Sequence, residues 1–329
     1  MKKILVIGSN CFSGSHFVNY CLSKKYIVYG VSRSKEPSSI YLPYKKSKYL
    51  KNFIFKKLDL NLNLQILIKL IKKENITHIV NFASQSMVAE SWQYPEDWFQ
   101  TNVMTQVKMH QEIQKLNVIK KFIQVSTPEV YGSINGWKKE SFNYFPSTPY
   151  ATSRAACDMH LMTYFKSLNY PVIFTRAANV YGPGQQLYRI VPRAILFPKI
   201  NKKLTLNGGG LSKRSFIHIE DVVRATFSIM NNGKFGEVYH ISTNEVISIK
   251  GLVKLIFKIN KFDTNKFLGI SEERLGKDKN YFLSSKKIRM QLNWTDRVTL
   301  EDGIQTVSNW ITDNLNIIKK HNFYYDHKK

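Results

Sequence analysis

The strongest constraint on the fold lies at the N-terminal end. An apolar run, Lys3 to Ile7, stops at Gly8-Ser9-Asn10-Cys11-Phe12-Ser13-Gly14. From Ser13 to Ser23, Phe17, Val18, Cys21 and Leu22 then share one helical face. A short apolar run reads as a buried strand, so the order is strand, glycine turn, helix. Gly8 permits the tight turn, and Gly14 lets the helix lie close to the strand. The helix N-terminus then offers backbone N–H groups to a pyrophosphate. Asn10, Phe12 and Ser13 belong to the same cradle. Its middle position, where a further Gly is expected, is Cys11. A Cβ there narrows the approach to phosphate, and binding is expected to persist with a slight displacement.

The pattern repeats along the chain. Ile27–Val31, Phe53–Leu58, His78–Phe82, Phe122–Ser126 and Val172–Thr175 read as strands. Between them Leu64–Lys73, Asn102–Leu116 and Tyr150–Leu168 carry helical spacing. Such alternation predicts an α/β fold with a doubly wound parallel sheet, whose ligands bind at the carboxyl ends of the strands. After Asn179 the pattern breaks at Gly182-Pro183-Gly184 and again at Gly208–Gly210. Ile249–Ile259 and Leu300–Leu315 look amphipathic. The expected division is a dinucleotide-binding domain of residues 1–178 plus about 215–245, and a smaller mixed C-terminal lobe of 179–214 plus 246–329. The polar, aromatic tail from His321 to Lys329 is expected to fray.

Composition restricts the function classes. The net charge of +26 suggests nucleic-acid binding, but the lysines are scattered and no zinc finger, RNP motif or basic zipper occurs. No nucleic-acid partner is expected; a positive field would still attract a diphosphate. No apolar stretch is long enough to cross a bilayer, so no membrane association is expected. Cys11, Cys21 and Cys157 form no paired spacing, which fits a reducing compartment and a cytoplasmic location. No His/Cys/Asp spacing suggests a metal.

The second strand ends Gly30-Val31-Ser32-Arg33-Ser34. An acid at this turn would grip a ribose 2′-hydroxyl, but the first acid is Glu36. Arg33 can pair with a 2′-phosphate and Ser32 can donate to it, so NADP is expected rather than NAD. Asp59 is placed to contact adenine or to cap the following turn. Leu60, Phe82 and Ala83 complete the expected cofactor set.

Two further segments carry reactive groups: Ser126-Thr127-Pro128-Glu129-Val130-Tyr131-Gly132 and Pro149-Tyr150-Ala151-Thr152-Ser153-Arg154. Together with the glycine turn they resemble the extended short-chain dehydrogenase/reductase family, which implies a Rossmann-type nucleotide domain. Asn81–Ser86, Thr101-Asn102-Val103, Asn179–Pro183, Arg214–Val222 and Arg274–Asp278 fall where that family has related motifs. Within it, Thr127 and Glu129 make the chain most similar to the nucleotide-sugar 4,6-dehydratases. Ala83 to Trp92 is similar to the GDP-mannose branch, and Ser126 to Gly132 to the dTDP-glucose branch.

The resemblance implies roles. Tyr150 would take the proton of the sugar 4-hydroxyl while hydride leaves C4. Glu129 would remove the C5 proton, and Thr127 would bond the 4-hydroxyl. Arg154 stands one helical turn after Tyr150, where the family has Lys; it keeps the charge but cannot relay a proton. Pro128 stands where many of the dTDP branch place Asp, so Glu129 would also protonate the departing hydroxyl. Ser86, Asn179, Arg193, Arg214 and Arg274 would hold the nucleotide-diphosphate sugar. The family also implies a homodimer formed by Asn102–Leu116 and Tyr150–Leu168, the second being apolar on more than one side. Two other readings stay open: a 4-epimerase or uronate decarboxylase, and a binding protein whose catalysis has decayed.

Overall fold

A computed structural model describes residues 2–134, 136–272 and 280–327. A seven-stranded parallel sheet forms its centre. Five strands come in chain order: β1 (Lys3–Ile7), β2 (Ile27–Ser32), β3 (Phe53–Lys57), β4 (His78–Asn81) and β5 (Lys121–Val125). Val172–Ala177 and Val238–Ile241 complete it, and the spatial order is Val238–Ile241, Val172–Ala177, β5, β4, β1, β2, β3. The strand order reverses at β1, so the connections after β1 and β4 run to opposite faces of the sheet and leave a crevice at its carboxyl edge.

Alternation along β1 decides which side chain meets which layer. Ile4 and Val6 pack with α1 (Phe12–Ser23) and with the helix Ile219–Asn232. Leu5 and Ile7 face the opposite layer. That layer holds α2 (Leu60–Glu74), a short α3 (Pro95–Phe99), α4 (Thr105–Lys115) and α5 (Pro149–Leu168). Both faces are therefore covered, as an all-parallel sheet requires. Just before α4, Gln100–Met104 winds as a π turn rather than extending the α-helix to Asn102.

A third apolar cluster lies outside the sheet. It joins α6 (Ile190–Lys199), Ile249–Asn260 and Leu300–Asp313, with the strand pair Leu204–Asn207 and Leu268–Ser271 beside them. Among the described residues no helix is long and apolar enough to cross a membrane.

The tail corrects an expectation. Through His327 it docks instead of fraying. The His327 ring lies parallel to Tyr94 at 4.7 Å and to Trp98 at 5.1 Å, and its Nε2 meets Asp97 Oδ2 at 2.7 Å. Tyr325 sets its edge against Tyr188, and Tyr324 lies near the Arg193 guanidinium. Aromatic partners 230 positions away in sequence, such as Asp97's neighbours, leave no local pattern to read.

Candidate active site

The glycine turn is built as a close approach. Gly8 has φ +82°, and a Cβ there would meet Ala83 N at 3.0 Å. A Cβ on Gly14 would sit 2.2 Å from the Gly8 carbonyl oxygen. Neither position tolerates a side chain, so the backbone cradle is available to a phosphate. Cys11, the departure from the expected Gly, has a local job. Its Sγ accepts from Gly14 N at 3.2 Å and caps α1. Burial pushes its thiol up to about 11, so it remains neutral.

At the end of β2, Ser32 Oγ accepts from Asn10 N at 3.0 Å and so shapes the turn. Asn10 also reaches Ser34 through its side-chain amide. Glu36 folds back: Tyr44 Oη donates to Glu36 at 2.8 Å and lies 3.3 Å from the Asn10 side-chain oxygen. Lys45 pairs with this carboxylate at 2.8 Å. The acid that sequence distance set aside is thus brought beside the turn, with a lysine on it. Burial pushes the Tyr325 phenol up to about 12, and the nearby Arg33 charge opposes that shift. Asp59 caps α2 by accepting from Asn61 N at 2.9 Å, and Leu60 opens that helix.

A cleft of about 630 Å³ opens at the carboxyl ends of the strands. Cys11, Phe12, Ser13 and Phe82 line its sheet side. So do Thr127, Glu129, Tyr150 and Arg154. Ser86, Asn179, Arg193 and Arg214 line it too, which brings together residues more than a hundred positions apart. Arg274 falls outside the described residues. Gly8, Asn10, Gly14, Ser32, Arg33, Asp59, Leu60 and Ala83 are not on the cleft wall itself; they form and flank the turn beneath it.

Local sequence explains how the reactive side chains are held. Thr148 caps α5, accepting from Ala151 N at 3.1 Å, and Pro149 occupies the first helical position. Tyr150 is therefore in the first turn and Arg154 one turn later on the same face. Thr127 in turn caps a one-turn helix, Pro128–Tyr131, by accepting from Glu129 N at 3.3 Å. Pro128 begins that turn, where its fixed φ suits the backbone. The replacement of an acid by Pro128 thus has a conformational use.

Tyr150 is buried and its phenol is held above its ordinary value, chiefly by burial and also by the Glu129 charge. Arg154, a hydrogen bond with Thr127 and the Arg189 charge act the other way. The Arg154 guanidinium donates to the Val125 carbonyl, while its buried Nε has no hydrogen-bond partner. An orphaned donor on a residue lining the cleft, beside a cradle whose Gly8 and Gly14 leave no room for a Cβ, fits a dinucleotide that would satisfy it.

Sequence reasoning left several residues at or behind the wall without a role. Asn102, in the π turn, bonds the Gln85 backbone at 2.8 Å and 3.0 Å and Ser153 Oγ at 3.0 Å. It ties the loop after β4 to α5; the irregular turn that aims it has no sequence pattern of its own. Gln185, Tyr188 and Arg189 also line the cleft, just after Gly182-Pro183-Gly184, a loop signal that does not specify direction. His218 caps Ile219–Asn232 and contacts Thr306, a structural role. Among the described residues no group of three His, Cys, Asp or Glu could hold a metal.

The comparisons with known proteins agree with this architecture. The chain is 30% identical over 319 residues, 95% of its own length, to a trifunctional UDP-glucose 4,6-dehydratase/UDP-4-keto-6-deoxy-D-glucose 3,5-epimerase/UDP-4-keto-L-rhamnose-reductase of Arabidopsis thaliana. It spans about half of that relative, 47% of its length. A dTDP-D-glucose 4,6-dehydratase of Mus musculus is 33% identical over 252 residues, covering 74% of this chain and 70% of the relative. Among solved structures, dTDP-glucose 4,6-dehydratase from Bacillus anthracis in complex with NAD superposes with a TM-score of 0.86 at 29% identity. That match covers 96% of this chain and 98% of the other. The sequence also matches the GDP-mannose 4,6 dehydratase family over residues 5–307, and the chain belongs to that family.

Proposed function

We propose that the protein is a nucleotide-sugar 4,6-dehydratase. The observation that carries this reading is the meeting of two proton acceptors, Tyr150 and Glu129, at one cleft whose outer wall bears Arg189, Arg193 and Arg214. One base serves oxidation at a hydroxyl, and the other serves elimination beside the resulting ketone. The arginines suit a diphosphate.

The cofactor would lie on the Gly8–Gly14 cradle with Arg154 beneath it, supplying a reversible hydride acceptor that is positively charged when oxidised. Tyr150 accepts the sugar 4-hydroxyl proton as C4 becomes a ketone, and Thr127 holds that oxygen. Arg154 favours the tyrosinate without taking a proton. The ketone acidifies C5–H. Glu129 removes this proton and passes it to the 6-hydroxyl, which departs as water; Pro128 cannot donate. Hydride return to C6, with a proton from solvent delivered back to C5 through Glu129 and the proton on Tyr150 released to solvent, completes a 4-keto-6-deoxysugar, so oxidation at C4 and reduction at C6 balance.

The finer cofactor choice is NADP. Its support is Arg33 at the end of β2 and the engagement of Glu36 by Tyr44 and Lys45. The Bacillus anthracis relative is solved with NAD, so the choice rests on this chain's own turn. Tighter binding of NADP than NAD by calorimetry, reversed or erased in Arg33→Asp, is expected; equal affinities sink it.

We also propose a division of labour and an assembly. Residues 1–178 plus about 215–245 bind cofactor, and 179–214 plus 246–329 bind the nucleotide sugar. Two copies would pair through α4 and α5, beside which Met104 and Met159 are 50% and 55% exposed. The apolar residues expected to supply this surface are partly used within the chain: Ala155 is buried beside Val130 and Tyr131, Leu161 is buried, and Met162, Tyr164 and Phe165 are half-buried against the sheet layer. A monomer mass by light scattering at micromolar concentration refutes the pairing.

Incubation with a panel of nucleotide sugars tests the main reading. Loss of one water from a substrate supports it. Unchanged mass with an inverted C4 centre points to epimerisation, and loss of carbon dioxide to decarboxylation.

A further inference from the structure

Behind the cleft lies a buried polar group that the proposed reaction does not use. Asp158 and Arg176 are both fully buried and paired at 2.9 Å. Asp158 follows Tyr150 and Arg154 at four-residue steps along α5, so the three share a face. Its Oδ2 takes two donors: Arg176 Nη2 and, at 2.5 Å, the hydroxyl of Ser126. Ser126 is the first residue after β5 and directly precedes Thr127. The carboxylate therefore joins the helix bearing Tyr150 and Arg154 to the start of the loop bearing Thr127 and Glu129.

Arg176 secures the far end of that loop. Its Nη1 donates to the Ser141 carbonyl at 2.8 Å, and its guanidinium lies over the Tyr131 ring at 4.7 Å. Tyr131 closes the Pro128–Tyr131 turn, and its hydroxyl meets His240 Nε2 at 2.8 Å. A buried ion pair is a poor source of net stability, because desolvation offsets its attraction. Its retention here has a geometric use. Both ends of the Glu129 loop are referred to one carboxylate on the Tyr150 helix.

We propose that Asp158, Ser126 and Arg176 form a positioning device that holds the Glu129 loop at a set distance from Tyr150. The device rests on no particular sugar, but its consequence for turnover rests on the dehydratase reading. Two bases acting on neighbouring carbons of one ring need a fixed separation, and misplacement of about 1 Å costs on the order of a hundredfold in rate.

Ser126→Ala is the sharpest probe, because it frees the loop while leaving the buried Asp158–Arg176 pair intact. The charged groups facing Tyr150 are Arg154 on its own helix, Glu129 on the loop and Arg189 before α6. The readout is titration of a fluorinated tyrosine at position 150 by fluorine resonance in the cofactor-loaded full chain, with Tyr150→Phe assigning the signal. Glu129→Gln should lower this titration by roughly half a unit or more in the parent, because a like charge is removed. It should have almost no effect in Ser126→Ala, where the loop has drifted, and Ser126→Thr should restore the coupling. An unchanged Tyr150–Glu129 coupling in Ser126→Ala overturns the proposal, whatever the protein's reaction.

Turnover supplies the second readout. Ser126→Ala should lower kcat about tenfold at constant KM and accumulate reduced cofactor, because elimination suffers more than oxidation. Loss of coupling in the titration, with no water lost from any nucleotide sugar by the parent, keeps the positioning device and removes the dehydratase reading. Loss of coupling with normal partition of reduced cofactor overturns the claim that the spacing serves the reaction.

Discussion

The two walls of the cleft are held by different physics. On the sheet side, Thr127, Glu129, Tyr150 and Arg154 sit at strand and helix ends secured by caps and buried hydrogen bonds, such as Ser126 to Asp158. On the outer side, Tyr188 and Arg193 meet the chain's own tail through a ring edge and a cation–ring contact, at 5.6 Å for Tyr188–Tyr325 and 5.8 Å for Arg193–Tyr324, and Arg189 lies over the Tyr188 ring. Buried polar bonds are costly to leave unmade and so define one geometry. Ring contacts have broad minima and allow a wall to adapt. The difference suits the proposed reaction, which would need two proton acceptors placed closely and room for a large, hydrated diphosphate.

The sharpest way to break this contrast is to remove the two proposed sheet-side bases one at a time. Tyr150→Phe should lower turnover by about 10²–10⁴-fold with no reduced cofactor appearing. Glu129→Gln should lower it by a similar factor, about 10²–10⁴, yet still let cofactor become reduced, and should abolish C5 hydrogen exchange with heavy water. Rapid-scan absorbance and mass spectrometry separate the two. Normal dehydration by Glu129→Gln would falsify its role as the C5 base.

An intermediate effect is expected from pH on the polar scaffold behind the same wall. Burial and the Arg176 charge push His240 down from 6.5 to about 3. The unfolded chain therefore takes up this proton more readily than the native one between these values. Stability contributed by neutral His240 is present above about pH 6.5 and is lost as pH falls towards 3, at up to about 1.4 kcal/mol per unit. Urea unfolding across this range should show the slope, and His240→Gln should flatten it. An identical slope in the variant would assign the loss to other groups.

The smallest effect should come from the outer wall. His327→Ala removes two parallel ring contacts and the Asp97 pairing, worth about 1–2 kcal/mol in total at this half-buried site. Thermal unfolding should shift by a few degrees at most. KM for the nucleotide sugar should rise severalfold with kcat unchanged, since the wall binds without taking part in proton transfer. A fall in kcat with constant KM would mean that the tail reaches the sheet-side bases and that the two walls are one unit.

Much of this was legible in the sequence for local reasons. A buried parallel strand must be apolar along its length, so β1, β2, β4 and β5 and the helices between them announce themselves, while the edge strand β3 shows only its Phe53-Ile54-Phe55 run. Gly8 and Gly14 are required by steric exclusion at backbone contacts, which no other residue satisfies. Tyr150, Arg154, Thr127 and Glu129 lie at strand or helix ends, and chain order alone directs those ends to one edge of the sheet.

The tertiary structure decided what depends on distant partners. Glu36 reaches the β2 turn only because Tyr44 and Lys45 bring it there. Cys11 became a helix cap, which only the path of the turn reveals. The tail docks because Tyr94, Asp97 and Trp98 form its seat, and no local pattern records a contact made across 230 positions. Asp158 reads in sequence as an ordinary helical carboxylate. Burial makes its partners obligatory, and the fold supplies Arg176 and Ser126, residues that propensity and periodicity could not have paired with it.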